Sequence, residues 1–235
     1  MKITHVDIFR FSLRMEPFTI ATGVMHFAQN LFIRVHTSEG FYGVGECSPF
    51  PMIVGENQDT CLIMARAFAG TWKGKDPLNI AERMEELNRY AAKNTTVKSA
   101  FDMALYDIAG KAANQPLYRF LGGSKRPVET DITIGINTLE KMVEQALKLK
   151  QAGASIIKIK LGKEAEADIE KVIKIREAVG NAITLRIDAN QGWGFKDACY
   201  VLDRLSGYNI QFCEQPMRTW YDDALPELCQ LSSIR

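Results

Sequence analysis

The sequence predicts an α/β protein in which an N-terminal α+β capping domain precedes a (β/α)-barrel domain, with about the first half of the barrel present. Two apolar runs on either side of Ser38-Glu39-Gly40 are typical of a β-hairpin. Three helical patterns follow the hairpin. From Glu129 onward, strand and helix patterns alternate, which favours a parallel sheet covered by helices.

The first predicted domain spans residues 1–126. Its first strand covers residues 1–13, and the stretch 15–24 is rich enough in turn-forming residues to be predicted as a loop. The remaining elements are hairpin strands at 31–36 and 41–47 and helices at 57–70, 77–92 and 97–113. Breakers at Pro116 and Gly122-Gly123 end the domain.

The second predicted domain spans residues 127–235. Its strands are expected at 130–136, 156–162, 183–187 and 210–213, and its helices at 138–151, 164–179, 195–205 and 222–231. A complete (β/α)₈ barrel takes about 250 residues, so this part of the chain provides only about four βα units. We therefore expect the natural protein to be longer.

Composition excludes several function classes. The net charge of +1 gives no electrostatic basis for binding nucleic acid or a membrane surface, and no apolar run is long enough to span a bilayer. The first residues alternate like a strand and lack the apolar segment of a signal peptide. The five cysteines have no C-x-x-C spacing, so we expect buried thiols in a reducing cytoplasm.

Two lysines interrupt the most apolar predicted strand, Ile156-Ile157-Lys158-Ile159-Lys160. Side chains two positions apart on a strand share a face, so Lys158 and Lys160 should lie side by side. Burial of two ammonium groups together is costly, and each should depress the pKa of the other. An enzyme that needs a neutral lysine as a general base gains from this arrangement.

The next two strands end in acidic residues, Asp188 and Glu214, at the edge where the active sites of (β/α)₈ barrels lie. Asp188 could instead cap the following helix, but its place at the end of a branched strand favours a ligand role. Oxygen ligands from separate strands suit Mg²⁺. Asn190, two positions after Asp188, could hydrogen-bond a ligand water or a substrate oxygen. The three histidines have no partners at metal-binding spacing, so we expect no catalytic role for them.

Three motifs in order, K-I-K, R-I-D-A-N-Q-G-W and C-E-Q-P, resemble those of the enolase superfamily in its mandelate racemase/muconate lactonising enzyme branch. The resemblance is greatest to dipeptide epimerases. It implies one Mg²⁺ per active site that binds a substrate carboxylate while a base removes the α-proton. It further implies that Asp188 and Glu214 are two of three metal ligands, that Lys160 is the base and that Lys158 lowers its pKa and contacts substrate.

The same resemblance implies a dipeptide substrate contacted by Thr133 and, in the stretch 19–24, by Gly23. That stretch contains no cation, which favours a dipeptide with a small or apolar second residue. The third ligand and the opposite-face acid or base are expected beyond Arg235, and a homo-oligomer is expected. A cycloisomerase or an o-succinylbenzoate-type dehydratase shares this half of the site, and a non-catalytic relative is a further alternative.

Overall fold

The computed structural model describes all 235 residues, which divide into two compact units. The first unit comprises residues 1–15 and 27–127, and the second comprises residues 16–26 and 128–235. The short segment 16–26 therefore belongs with the C-terminal part of the chain, although it is far from that part in sequence.

The first unit is built on a three-stranded sheet in the order β1-β2-β3. Its strands are β1 (Ile3–Ile20), β2 (Gly23–Thr37) and β3 (Tyr42–Cys47). Five helices follow: α1 (Pro51–Val54), α2 (Gln58–Trp72), α3 (Ile80–Tyr90), α4 (Thr95–Ala112) and α5 (Leu117–Phe120). The sheet and the helices enclose one apolar core, in which Phe68, Trp72 and Phe101 are fully buried.

The predicted loop at 15–24 is wrong. β1 continues to Ile20, a two-residue turn follows, and β2 begins at Gly23. The turn-forming residues of this stretch, Pro17 among them, lie within strands of the hairpin or in its two-residue turn. β1 is an edge strand of its sheet, and proline is tolerated on an edge strand because its missing N–H need not interrupt a ladder.

The second unit contains a four-stranded parallel sheet in the order β4-β5-β6-β7, which confirms the predicted fold class. Its strands are β4 (Ile132–Ile134), β5 (Ile156–Lys160), β6 (Thr184–Asp188) and β7 (Ile210–Glu214). The helices are α6 (Leu139–Gln151), α7 (Ala165–Val179), α8 (Phe195–Arg204) and α9 (Leu225–Leu231), with a 3-10 helix over Thr219–Ala224. β4 is shorter than predicted.

Side-chain alternation gives this sheet two different faces. Ile157, Ile159, Leu185 and Ile187 are fully buried in the core that the sheet forms with its helices. Each such side chain stabilises the fold by about 1.5–3 kcal/mol relative to exposure. The intervening positions on β5, which carry the two lysines, point to the opposite face.

None of the helices is both long and apolar enough to cross a membrane. All five cysteines are free thiols. The expectation that all are buried is correct for Cys47 and Cys61 in the first unit. It is wrong for Cys199 and Cys213, which are half-buried, and for Cys229, which lies exposed on α9.

Candidate active site

Strand register brings the predicted site residues to one edge of the parallel sheet. Lys160 on β5 is paired with Asp188 on β6, and Asp188 is paired with Glu214 on β7. Because parallel strands place their carboxyl ends at the same edge, three charged side chains from three strands lie next to one another.

Together with Lys158 on β5, these three side chains form a hydrogen-bonded group, here called the lysine–carboxylate cluster: Lys158, Lys160, Asp188 and Glu214. The Lys160 Nζ donates to Asp188 Oδ2 at 2.6 Å. The Lys158 Nζ lies 2.9 Å from the same oxygen and donates to Glu214 Oε2 at 2.7 Å. Asp188 is fully buried and Lys160 is 9% exposed, so both groups interact with little screening by water.

The predicted depression of the lysine pKa values is wrong for Lys158. Burial disfavours its charged form, but the hydrogen bonds to Glu214 and Asp188 outweigh burial and hold the pKa of Lys158 above its ordinary value. Burial likewise acts to raise the pKa of Asp188, yet hydrogen bonds from Lys160, Lys158 and the Asn190 N–H hold it below the usual range. Sequence reasoning counted the two lysines and left out their carboxylate partners.

Asn190, two positions after Asp188, contacts the cluster through its backbone. Its backbone N–H donates to Asp188 Oδ1 at 2.8 Å, in a left-handed conformation with φ of +45° that asparagine tolerates well. Its side-chain Oδ1 is buried without a hydrogen-bond partner. Buried polar atoms are nearly always paired, so this oxygen is available to a ligand.

Thr133 and Gly23 lie on two other strands, β4 and β2. Thr133 is paired in register with Lys158 and shares its face of the sheet. Gly23 starts β2 in the segment 16–26, whose Thr19 carbonyl accepts a hydrogen bond of 2.9 Å from the Ile136 N–H just after β4. A Cβ atom at Gly23 would meet nothing within 4 Å, so this position is open.

The loops after β5 and β6 touch through two glycines. A Cβ at Gly162 would lie 2.0 Å from the Ala189 carbonyl oxygen, and one at Gly192 would lie 2.1 Å from the Gly162 carbonyl oxygen. Any larger residue would push apart the loops that follow Lys160 and Asp188. Gly162 also has a φ of +99°, a conformation that L-residues rarely adopt.

Asp168, in the first turn of α7, joins the same two loops and was missed by sequence reasoning. This fully buried carboxylate accepts hydrogen bonds at Oδ2 from the Gly162 N–H (2.8 Å), the Lys163 N–H (3.1 Å) and the Trp193 Nε1–H (3.0 Å). Lys171 lies 3.5 Å from its other oxygen. Asp168 therefore fixes the segments that follow both Lys160 and Asp188.

Two other predictions concern side chains outside the cluster. Cys213, expected like the other cysteines to be a buried thiol, is half-buried against the apolar core, and burial raises the pKa of its thiol. The statement that the histidines lack partners is wrong for His5 and His36. Their imidazole rings stack beside Asp7 with the ring centroids 4.1 Å apart. These residues are distant in sequence and meet because β1 and β2 are neighbouring strands.

Comparison with protein families shows to which family this chain belongs. Residues 3–122 match the mandelate racemase/muconate lactonizing enzyme N-terminal domain, and residues 141–235 match the family described as enolase C-terminal domain-like. The chain belongs to the mandelate racemase/muconate lactonizing enzyme family of the enolase superfamily. The resemblance drawn from the three motifs is thereby confirmed.

Individual relatives are dipeptide epimerases. The D-Ala-D/L-Ala epimerase of Cytophaga hutchinsonii is 42% identical over all of this chain and 64% of its own length. A structure of the dipeptide epimerase from that organism with Mg and D-Ala-L-Val has a TM-score of 0.98 over the same shares of the two chains. The Enterococcus faecalis dipeptide epimerase with Mg and L-Leu-L-Tyr is 36% identical, with a TM-score of 0.97 over 100% of this chain and 66% of its own. The chain thus spans about two thirds of the length of these relatives.

Proposed function

We propose that the protein containing this chain epimerises dipeptides by removing and returning the α-proton next to a carboxylate. The observation that carries the proposal is the contact between Lys160 Nζ and Asp188 Oδ2, two buried groups at adjacent strand ends. This contact places the Lys160 amine, which would accept the proton, beside the Asp188 carboxylate, which would bind the metal ion. The ion would in turn bind the substrate carboxylate. The epimerase relatives support the reaction class.

The donor set fits Mg²⁺. Asp188 and Glu214 supply carboxylate oxygens from adjacent strands, and Asn190, two positions after Asp188, carries a buried Oδ1 without a hydrogen-bond partner. Such hard oxygen donors are the ligands that Mg²⁺ prefers. Asp188 and Glu214 would hold the ion. When bound, it would supply positive charge that stabilises the extra negative charge on the substrate carboxylate after proton loss.

The two lysines would divide the remaining work. Lys160, the more buried, would accept the α-proton at Nζ, for which its amine must be neutral. The Lys158 ammonium lies on the same face of the sheet and can donate to a substrate oxygen. Inversion further requires a group on the opposite face of the substrate that returns the proton.

We further propose that the second residue of the dipeptide is small or apolar. The segment 19–24 packs beside the ends of β4 and β5 through contacts of Thr19 with Ile136 and of Ala21 with Gly162, and it carries no cation. An acidic side chain arriving there would lose water without gaining a partner. The relatives from Cytophaga hutchinsonii and Enterococcus faecalis, whose names or bound dipeptides contain Ala, Val, Leu and Tyr, support this preference.

The experiment is deuterium incorporation by the complete protein. L-Ala-L-Ala in D₂O with Mg²⁺ should gain one α-deuterium and yield a diastereomer, followed by NMR. Lys160→Ala should abolish exchange from the face that it serves while Mg²⁺ affinity changes little, because the lysine acts on carbon. The exposed neighbour Lys163 offers the matched control Lys163→Ala, which should retain activity. Exchange by Lys160→Ala at the wild-type rate would exclude Lys160 as the base.

A further inference from the structure

A second group of metal-ligating side chains lies on the three-stranded sheet. His5 and Asp7 share a face of β1, two positions apart, and His36 lies beside them on β2. One ligand atom from each of the three residues lies within 4.8 Å of the other two. All three residues belong to the first unit, so their arrangement is independent of the lysine–carboxylate cluster.

We propose that His5, Asp7 and His36 form a binding site for a first-row divalent transition metal of the Zn²⁺ class. Two imidazole nitrogens and one carboxylate oxygen are a donor set that Zn²⁺ uses when it keeps a fourth position for water. Imidazole also discriminates against Mg²⁺, which takes oxygen ligands. The site therefore differs in chemistry from the candidate magnesium centre.

The distances are close to those that such an ion needs. His36 Nε2 lies 2.9 Å from Asp7 Oδ2, and His5 Nε2 lies 4.0 Å from Asp7 Oδ1. In a tetrahedron with bonds of about 2.0–2.1 Å, neighbouring ligand atoms are roughly 3.3 Å apart. Since the three ligand atoms lie within 4.8 Å of one another, no pair must close by more than roughly 1.5 Å, and His5 must tilt its ring out of the stack with His36. Its side chain is 59% exposed, which leaves it free to do so.

The surroundings orient the ligands. The Thr4 hydroxyl oxygen lies 3.0 Å from His5 Nδ1 and can accept a hydrogen bond from the N–H at that nitrogen, which leaves the Nε2 lone pair of His5 for a metal. Asp7 lies within hydrogen-bond distance of His36 Nε2 without an ion, and binding would exchange that contact for two metal bonds. His36 would bind as the tautomer protonated at Nδ1. Strand pairing holds β1 and β2 side by side, so the cost of assembling the ligands is small.

The test is Zn²⁺ binding by the purified protein in excess Mg²⁺, measured by competition with a chromophoric chelator, with Co²⁺ absorption as a report on geometry. One Zn²⁺ should bind, and His5→Ala, His36→Ala and Asp7→Asn should each weaken it by about tenfold or more. His26, the remaining histidine, is exposed, and His26→Ala should bind like the wild type.

Two further measurements separate this site from others. Asp188→Asn, which alters the lysine–carboxylate cluster, should leave the Zn²⁺ stoichiometry and affinity unchanged. Zn²⁺ should raise the melting temperature of the wild type and of His26→Ala but not of His5→Ala, whose exposed side chain contributes little to folding. Equal Zn²⁺ affinity in the wild type and in His5→Ala, or loss of the site in Asp188→Asn, would overturn the proposal.

Discussion

At the scale of single residues, Asp188 and Asp168 show how one carboxylate can organise several neighbours. Asp188 accepts from two lysines at one oxygen and from a backbone N–H at the other. Asp168 accepts three N–H groups at one oxygen. Both are fully buried, and a buried charge is tolerated only when it is paired in this way. The two residues thus fix the reactive groups and the loops around them.

We expect Asp168→Asn to loosen both loops. The amide keeps the shape of the carboxylate but loses the charge that strengthens its hydrogen bonds to Gly162, Lys163 and Trp193. The free energy of unfolding should fall by about 1–3 kcal/mol. The Trp193 contribution to fluorescence, taken as the difference from Trp193→Phe, should shift to longer wavelength as water reaches the indole.

Glu170 provides the matched control, because it lies on the same helix with its side chain exposed. Glu170→Gln should change the free energy of unfolding by no more than about 0.5 kcal/mol and leave the fluorescence unaltered. A Trp193 spectrum in Asp168→Asn identical to that of the wild type would show that the carboxylate does not hold this loop.

At the scale of elements, the parallel sheet was predictable and the first hairpin was not. Branched apolar runs such as residues 156–161 have few alternatives to a buried strand, and their βα spacing predicts that Lys160, Asp188 and Glu214 share an edge. The structure brings them together, while their catalytic roles stay predictions. β1 beyond residue 13 carries no such signal, because an exposed edge strand tolerates polar residues and proline.

Contacts between distant segments account for the other omissions. Asp168 forms its hydrogen bonds to backbone groups and to a tryptophan 25 positions away, so no local motif marks it. His5 and His36 are neighbours only because β1 lies beside β2. The carboxylate partners that raise the pKa of Lys158 come from two other strands. Periodicity identifies elements, whereas these properties depend on how the elements pack.

Within the first unit, α3 offers a pH-dependent prediction. Glu86 accepts two hydrogen bonds from the buried Arg83, at 2.8 and 3.0 Å, and pairs with Lys75 at 2.8 Å. Although burial opposes it, these partners hold the pKa of Glu86 below its ordinary value of 4.5. Glu86→Gln should lower the free energy of unfolding by about 1–2 kcal/mol near neutral pH.

Because the folded-state pKa is depressed, this contribution is complete above 4.5 and is lost as the pH falls through the lower folded value. The free energies of unfolding of the wild type and Glu86→Gln, measured by denaturant titration, should therefore become equal at acidic pH. Glu85→Gln, at an exposed pair with Arg89, should differ from the wild type by about 0.5 kcal/mol or less at all pH values. If the free energies of unfolding of the wild type and Glu86→Gln still differed at low pH, the effect would come from packing and not from the charge of Glu86.

At the scale of the whole molecule, the segment 16–26 is separated from the barrel strands in sequence but packs with them. Its Thr19 and Ala21 lie against the residues that follow β4 and β5, so a change at the tip of this hairpin can reach the substrate without altering the lysine–carboxylate cluster. Under the proposed function, specificity and chemistry would therefore belong to separate parts of the chain.

We therefore expect the complete protein to prefer Ala-Ala over Ala-Glu by roughly ten- to a hundredfold in kcat/KM, since an unpaired, partly desolvated carboxylate costs about 1–3 kcal/mol. Gly23→Arg should raise activity on Ala-Glu. The position has free space around it and no positive φ, so it can accept arginine. Gly23→Gln adds comparable bulk without charge and should not reproduce the gain. A mass-resolved dipeptide library in D₂O would measure both ratios. Equal gains from the two variants would show that size at this tip, and not charge, selects the second residue.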